Sequence, residues 1–252
     1  MIAGLSPLGV AAERTNFRVY GARTAAEQAA VLKRSQEIRN ELHTRWNGDA
    51  PQIAWQPVCE VVLHFSQSDY LQAVGAGARG TVGSTFIQFH PRDTQRIIRR
   101  RIDLLAAEHD MLAALPHEMT HVLLADRYQG EQPPPWLDEG VATMADTLTK
   151  QQRHLRDLRT ALSGGNRMSI AMMVALDGPI PSQQRASFYG QSVALATILT
   201  RLDHPHRIFE FAQAAQEHGA EQALKRIYKL ELADLDRRIA NLALESDVAI
   251  QP

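Results

Sequence analysis

His117-Glu118-Met119-Thr120-His121 is the stretch on which the reading of this 252-residue chain turns. On a helix, residues four apart share a face, so His117 and His121 project side by side, one turn apart. Two imidazoles at that spacing can chelate one divalent cation, and Glu118 is placed to act on a water held there. The chain has ten histidines, so the spacing can arise by chance and a third ligand has to be found. A catalytic zinc takes three protein ligands and keeps one position open.

The third ligand comes after a turn-rich stretch, Gln129-Gly130-Glu131-Gln132, in Pro133-Pro134-Pro135-Trp136-Leu137-Asp138-Glu139-Gly140-Val141-Ala142. Prolines end one element and open the next, because proline is tolerated at a helix start and not inside one. A helix is expected from Leu137 to Leu148. If it turns back on the first, Glu139 reaches the histidines. Asp146 follows seven residues later, on the same expected face two turns on, and suits a hydrogen bond that fixes the tautomer of a ligand histidine. Pro116 either opens the metal helix or kinks it after Asp110-Met111-Leu112. The plainer alternatives are ordinary helix histidines, a first-turn carboxylate at Glu139 favoured by the helix dipole, and a surface carboxylate at Asp146.

His117-Glu118-x-x-His121 followed by Trp136-Leu137-x-Glu139-Gly140 resembles the gluzincin metallopeptidases, the group holding thermolysin and the aminopeptidase N family. It looks closest to the bacterial peptidase MA-like domains. Phe188-Tyr189-Gly190-Gln191-Ser192, opening an apolar helix through Leu202, is similar to the tyrosine-bearing segment of the aminopeptidase branch, and Asp146 matches a carboxylate of that branch. The resemblance touches about 85 residues, from Leu115 to roughly Thr200. It implies an α+β, zincin-like fold with an N-terminal mixed-sheet lobe carrying helices, a two-helix zinc centre and a C-terminal helical lobe. It implies one Zn²⁺ held by His117, His121 and Glu139, with Glu118 as general base and the Tyr189 hydroxyl facing the oxyanion. A peptide or protein substrate would lie along the edge strand of the sheet, either Ser84–Phe89 or Arg101–Leu105.

The implied activity is hydrolysis of peptide bonds through a zinc-activated water. No Gly-x-Met-x-Asn segment precedes the zinc motif, which favours an endopeptidase over an aminopeptidase. The gap between His121 and Glu139, seventeen residues, is slightly shorter than usual in the group. The metzincin pattern fails, since it needs glycine at 124 and histidine at 127, and these are Leu124 and Arg127. The rival is a catalytically inactive zinc-binding or protein-binding module on the same fold. Glu118 speaks against it, because such a module has no use for a base that is not a ligand.

Composition is that of an ordinary globule, 44% apolar and 22% charged. A net charge of −1 gives no field that would draw the whole chain to nucleic acid or anionic lipid. Arg99-Arg100-Arg101, with Arg92 and Arg96, is either a local anion patch or, more plainly, a solvated edge. Cys59 is the only cysteine, so no internal disulfide exists, and its apolar surroundings make it a packing residue. No stretch is long and apolar enough for a membrane span. Residues 1–15 read as a tail or a signal remnant, with Val10-x-Ala12 resembling a cleavage site. The protein is exported if Met1 is an internal start within a longer export signal, and cytoplasmic otherwise.

The remaining elements follow from period and punctuation. Residues 16–110 read as an α/β lobe. Asn16–Tyr20 alternates as a strand, Thr24–Trp46 is an amphipathic helix capped by Thr24 and stopped by Gly48, and Val58–Phe65 is a β-branched strand. Ser66 or Ser68 starts a short helix to Val74. Gly75–Gly80 is a loop without the lysine and serine of a phosphate cradle. Ser84–Phe89 reads as strand, and Arg99–Ala106 is ambiguous by period and taken as strand. Residues 111–150 hold the zinc helices. Residues 151–252 read as a helical lobe: Gln151–Leu162, Met168–Leu176, Ser187–Leu202, His206–His218, Ala220–Tyr228 and Leu232–Leu244. His64, His90, His109 and His154 lack ligand spacing and are expected to be structural or exposed.

Overall fold

The chain starts as a sheet and ends as helices, and the metal motif lies where one gives way to the other. In the computed structural model, residues 16–106 and 112–245 are described, and the tail or signal remnant expected over residues 1–15, together with His109, lies outside them. Four strands, β1 (Phe17–Tyr20), β2 (Cys59–His64), β3 (Gly83–His90) and β4 (Asp93–Leu105), form one mixed sheet in the order β1-β2-β4-β3. β1 runs parallel to β2 and β2 parallel to β4, whereas β3 and β4 form an antiparallel hairpin. The parallel pair β1–β2 needs a crossover, and α1 (Ala25–Asn47) supplies it. The Thr24 hydroxyl caps α1 on the Glu27 N–H, and Gly48 ends it in the left-handed region. Its buried stripe of Val31, Ile38, Leu42 and Trp46 covers the sheet. α2 (Gln67–Val74) starts at Ser66, whose side chain caps the Asp69 N–H.

Strand order decides a choice that the sequence leaves open. Arg101–Leu105 belongs to β4, which has β2 on one side and β3 on the other, so it has no free backbone edge. It cannot be the substrate-binding strand. Ser84–Phe89 lies in β3, at the end of the sheet. The basic run is also corrected. Arg99 pairs with Glu60 at 2.7 Å, Arg101 with Asp103 at 2.6 Å, and buried Arg100 with Asp126, so these three are not an anion patch in their own right, while Arg92 and Arg96 are exposed, as the plainer reading expects. The Arg100–Asp126 pair ties the sheet to the helix that follows it. Cys59 is fully buried, and burial pushes its thiol up to about 12, as a packing residue requires.

The helices are α3 (Leu115–Tyr128), α4 (Pro135–Met144), α5 (Leu148–Gly164), α6 (Ile170–Val174), α7 (Arg185–Leu202), α8 (Arg207–His218), α9 (Ala220–Tyr228) and α10 (Leu232–Leu244). Pro116 opens α3 in its first turn. The helix expected from Leu137 to Leu148 instead ends at Met144. Thr147 caps a new helix by accepting from the Lys150 N–H, which leaves Asp146 in the connection and not on a helix face. α6 is shorter than expected because Ser169 caps it on the Met172 N–H.

α7 is the buried axis of the helical half, packed on α4 and α5. Two glycines permit this. A Cβ on Gly140 would stand 2.5 Å from the Ser192 carbonyl oxygen, and one on Gly190 would stand 2.2 Å from that of His154. Each is closer than a side chain tolerates, so these backbones approach only because both residues lack one. One continuous core runs from Phe17 in the sheet to Ala243 in α10, and the architecture is α+β. No helix among the described residues is long and apolar enough to cross a membrane.

Candidate metal centre

Leu115, Met119 and Val122 are fully buried and fasten α3 to the core, which fixes the opposite face of the helix over a cleft of about 1160 Å³. His117 and His121 occupy that face with ring centres 4.9 Å apart and planes at 76°. α4 turns back on α3 and brings Glu139 Oε2 to 3.8 Å from His117 Nε2. One donor atom from each of His117, His121 and Glu139 lies within 4.8 Å of the others, the three-ligand cluster expected from the sequence.

Both imidazoles are fixed from behind. His117 Nδ1 donates to Asp146 at 2.9 Å, and His121 Nδ1 donates to Asp138 at 2.7 Å. With Nδ1 protonated in each ring, Nε2 is the lone-pair nitrogen available to a cation. Asp146 is itself held, by Lys150 Nζ at 2.9 Å on its carboxylate and by Gln151 Nε2 at 2.8 Å on its carbonyl oxygen. Asp146 therefore has the contact that sequence spacing suggests, reached by a different route, from a loop. Tetrahedral zinc with ligand atoms at about 2.0–2.1 Å sets them about 3.3 Å apart. The cluster stands a small side-chain adjustment from that geometry, and two neutral imidazoles plus one carboxylate form a donor set that suits zinc.

The electrostatics point the same way. Burial raises the pKa of Glu139, opposed by the two imidazoles beside it. Burial pulls the His121 imidazole down, yet Asp138, Glu139 and Glu118 outweigh it and push it up to about 10. Carboxylates thus outnumber cationic groups here, and a bound cation would relieve them.

Glu118 lies outside the ligand cluster. Its Oε2 is 2.7 Å from the Thr85 hydroxyl, which is also 3.0 Å from the Glu118 carbonyl oxygen. Gly83 makes room for it, since a Cβ there would stand 2.6 Å from Glu118 Oε1. The edge strand β3 thereby positions the Glu118 carboxylate and forms one wall of the cleft, with Ile87 and Phe89 further along it. Tyr189 lines the cleft from α7 with His154 stacked on its ring, centres 5.4 Å apart. Burial and the nearby Glu139 charge push the tyrosine hydroxyl up to about 12, so it stays protonated and able to donate. His154 thus lies in the cleft, whereas His64 is bonded to Asp103 at 2.6 Å.

The structure brings together all six residues singled out from the sequence: His117, Glu118, His121, Glu139, Asp146 and Tyr189. It adds Asp138, Thr85 and Gly83. Asp138 had a readable signal, a carboxylate next to the third ligand in the first turn of its helix. Thr85 had none, because its contact with Glu118 spans 33 residues. Compared with known proteins, the chain matches no family model, no curated protein and no solved structure.

Proposed function

We propose that the protein is a zinc-dependent metallopeptidase of gluzincin type, an endopeptidase in preference to an aminopeptidase, on a zincin-like fold. One observation carries the reading: His117, His121 and Glu139 converge while the adjacent Glu118 stays out of the cluster and is oriented by Thr85. A site that only stores a metal has no use for that fourth, separately held carboxylate.

A zinc ion bound there supplies Lewis-acid activation of water and of a carbonyl. Glu118 takes the proton from the attacking water and delivers it to the leaving amine, a role worth roughly 10²–10⁴ in rate. The protonated Tyr189 hydroxyl donates to the oxyanion of the peptide carbonyl, worth about 3 kcal/mol. Unpaired backbone groups of β3 hold the substrate extended across the cleft, which suits peptides of varied sequence.

The test is Glu118→Gln. The variant should retain one zinc per chain by metal analysis and lose about a thousandfold in cleavage of a denatured protein. A variant that cleaves like the parent, or a folded parent that takes up no zinc at saturating concentration, would refute the proposal.

A further inference from the structure

Behind α3, on the side away from the metal centre, lies a second cavity of about 640 Å³. α1, the 51–56 segment, α3 and Phe209 of α8 enclose it, and no residue lines both cavities. Its apolar surface comes from Trp46, Trp55 and Phe209, with Trp46 edge-on to Phe209 at 6.0 Å.

Its charges do not balance. Arg39, Arg100 and Arg127 line it against one carboxylate, Asp126, which Arg100 occupies. Arginine does not shed its proton in a protein, so the surplus persists at every working pH. Arg39 is 3% exposed and Arg100 6% exposed, and the Nε–H of each is buried without a hydrogen-bond partner. Their other contacts are carbonyl oxygens, Ile53 for Arg39 and Pro57 for Arg100, which carry no charge. Both guanidinium groups lie over the one indole of Trp55, at 4.6 and 5.4 Å, so two like charges share one aromatic ring. Arg127 sits 3.8 Å above the Phe209 ring. Aromatic faces compensate buried cations in part, and an anion does so fully.

We propose that this cavity is a binding site for a small organic carboxylate, its apolar body against Trp46 and Phe209 and its anionic head among the guanidinium groups of Arg39, Arg100 and Arg127. The volume suits a ligand of that size, and apolar walls with a few convergent charged groups are the usual make-up of such pockets. The site is independent of the metal centre and of the chemistry proposed there.

Octanoate is the probe and octan-1-ol its neutral counterpart. The chain has three tryptophans, and Trp136 does not line the cavity, so the three indole N–H resonances locate binding within one spectrum. Octanoate should shift Trp46 and Trp55 and leave Trp136 in place, with or without prior removal of metal by chelator. Octan-1-ol should bind about tenfold more weakly. Arg39→Met should weaken octanoate by a similar factor and leave octan-1-ol unchanged. Arg127→Met, at a more exposed position, carries the same test if the first variant does not fold. The proposal is overturned if octanoate leaves Trp46 and Trp55 unmoved, if all three indoles shift alike, if octan-1-ol binds as well, or if a folded variant binds octanoate like the parent.

Discussion

The two sides of α3 carry opposite surpluses of charge. On the front, Glu118, Glu131, Asp138, Glu139 and Asp157 line the cleft, with Asp146 behind His117, against Lys150, Arg153 and Arg185. On the back, Arg39, Arg100 and Arg127 face Asp126 alone. Elsewhere some ion pairs close one to one, as in Arg99–Glu60 and Arg167–Asp236, and others share a partner on the surface, as Lys225 does between Glu221 and Glu231. Burying unmatched charge is costly, and a fold keeps such an imbalance where a ligand of the opposite sign completes it. The front is short of a cation and the back of an anion.

Tyr189 is a donor on the front that adds no charge, and removing it separates chemistry from charge balance. Tyr189→Phe should lower kcat by about a hundredfold while zinc affinity stays at the parent value. Equal loss of zinc and activity would make Tyr189 part of the charge cluster, contrary to this division. The surplus itself is tested by pH. With no cation bound, the front holds a proton on His121, whose pKa is raised to about 10. Zinc must displace that proton, so proton competition grows as pH falls. Apparent zinc affinity should drop about tenfold per pH unit, or about a hundredfold from about pH 8 to about pH 6, read by competition with a chromophoric chelator. A flat profile would break the comparison.

A smaller effect is expected from the carboxylates that hold the ligand rings. Asp138→Asn and Asp146→Asn should each weaken zinc by about 10–100-fold, because the ring loses its anionic partner while keeping a hydrogen-bond acceptor. Neither should change octanoate binding behind α3, and a change there would show that the two sides are coupled through the helix.

Much of this was legible in the chain. The caps at Thr24 and Ser66, the prolines before α4 and the β-branched run of β2 all act within a few residues, and the structure agrees with them to within a residue or two. The expectation for α4 failed because two local signals competed. The reading carried the helix on to Leu148, but Thr147 offered its oxygen to a new helix start, and the cap prevailed. The run Arg99-Arg100-Arg101 misled because two of the carboxylates that neutralise it arrive from elsewhere, Glu60 from β2 and Asp126 from α3, whereas Asp103 lies two residues on in the same strand.

The sequence by itself determined that His117 and His121 share a helix face with a carboxylate between them, because helical period is a local property of the backbone. It also determined that a second helix carrying Glu139 starts after the prolines. Only the tertiary structure decided that β3 and not β4 is an edge of the sheet, that Asp138 and Asp146 each take one imidazole, that Thr85 orients Glu118, and that three arginines line one cavity behind α3. Those contacts join residues far apart along the chain, and their partners are chosen by how the sheet order and the glycine-permitted approach of α7 bring the elements together.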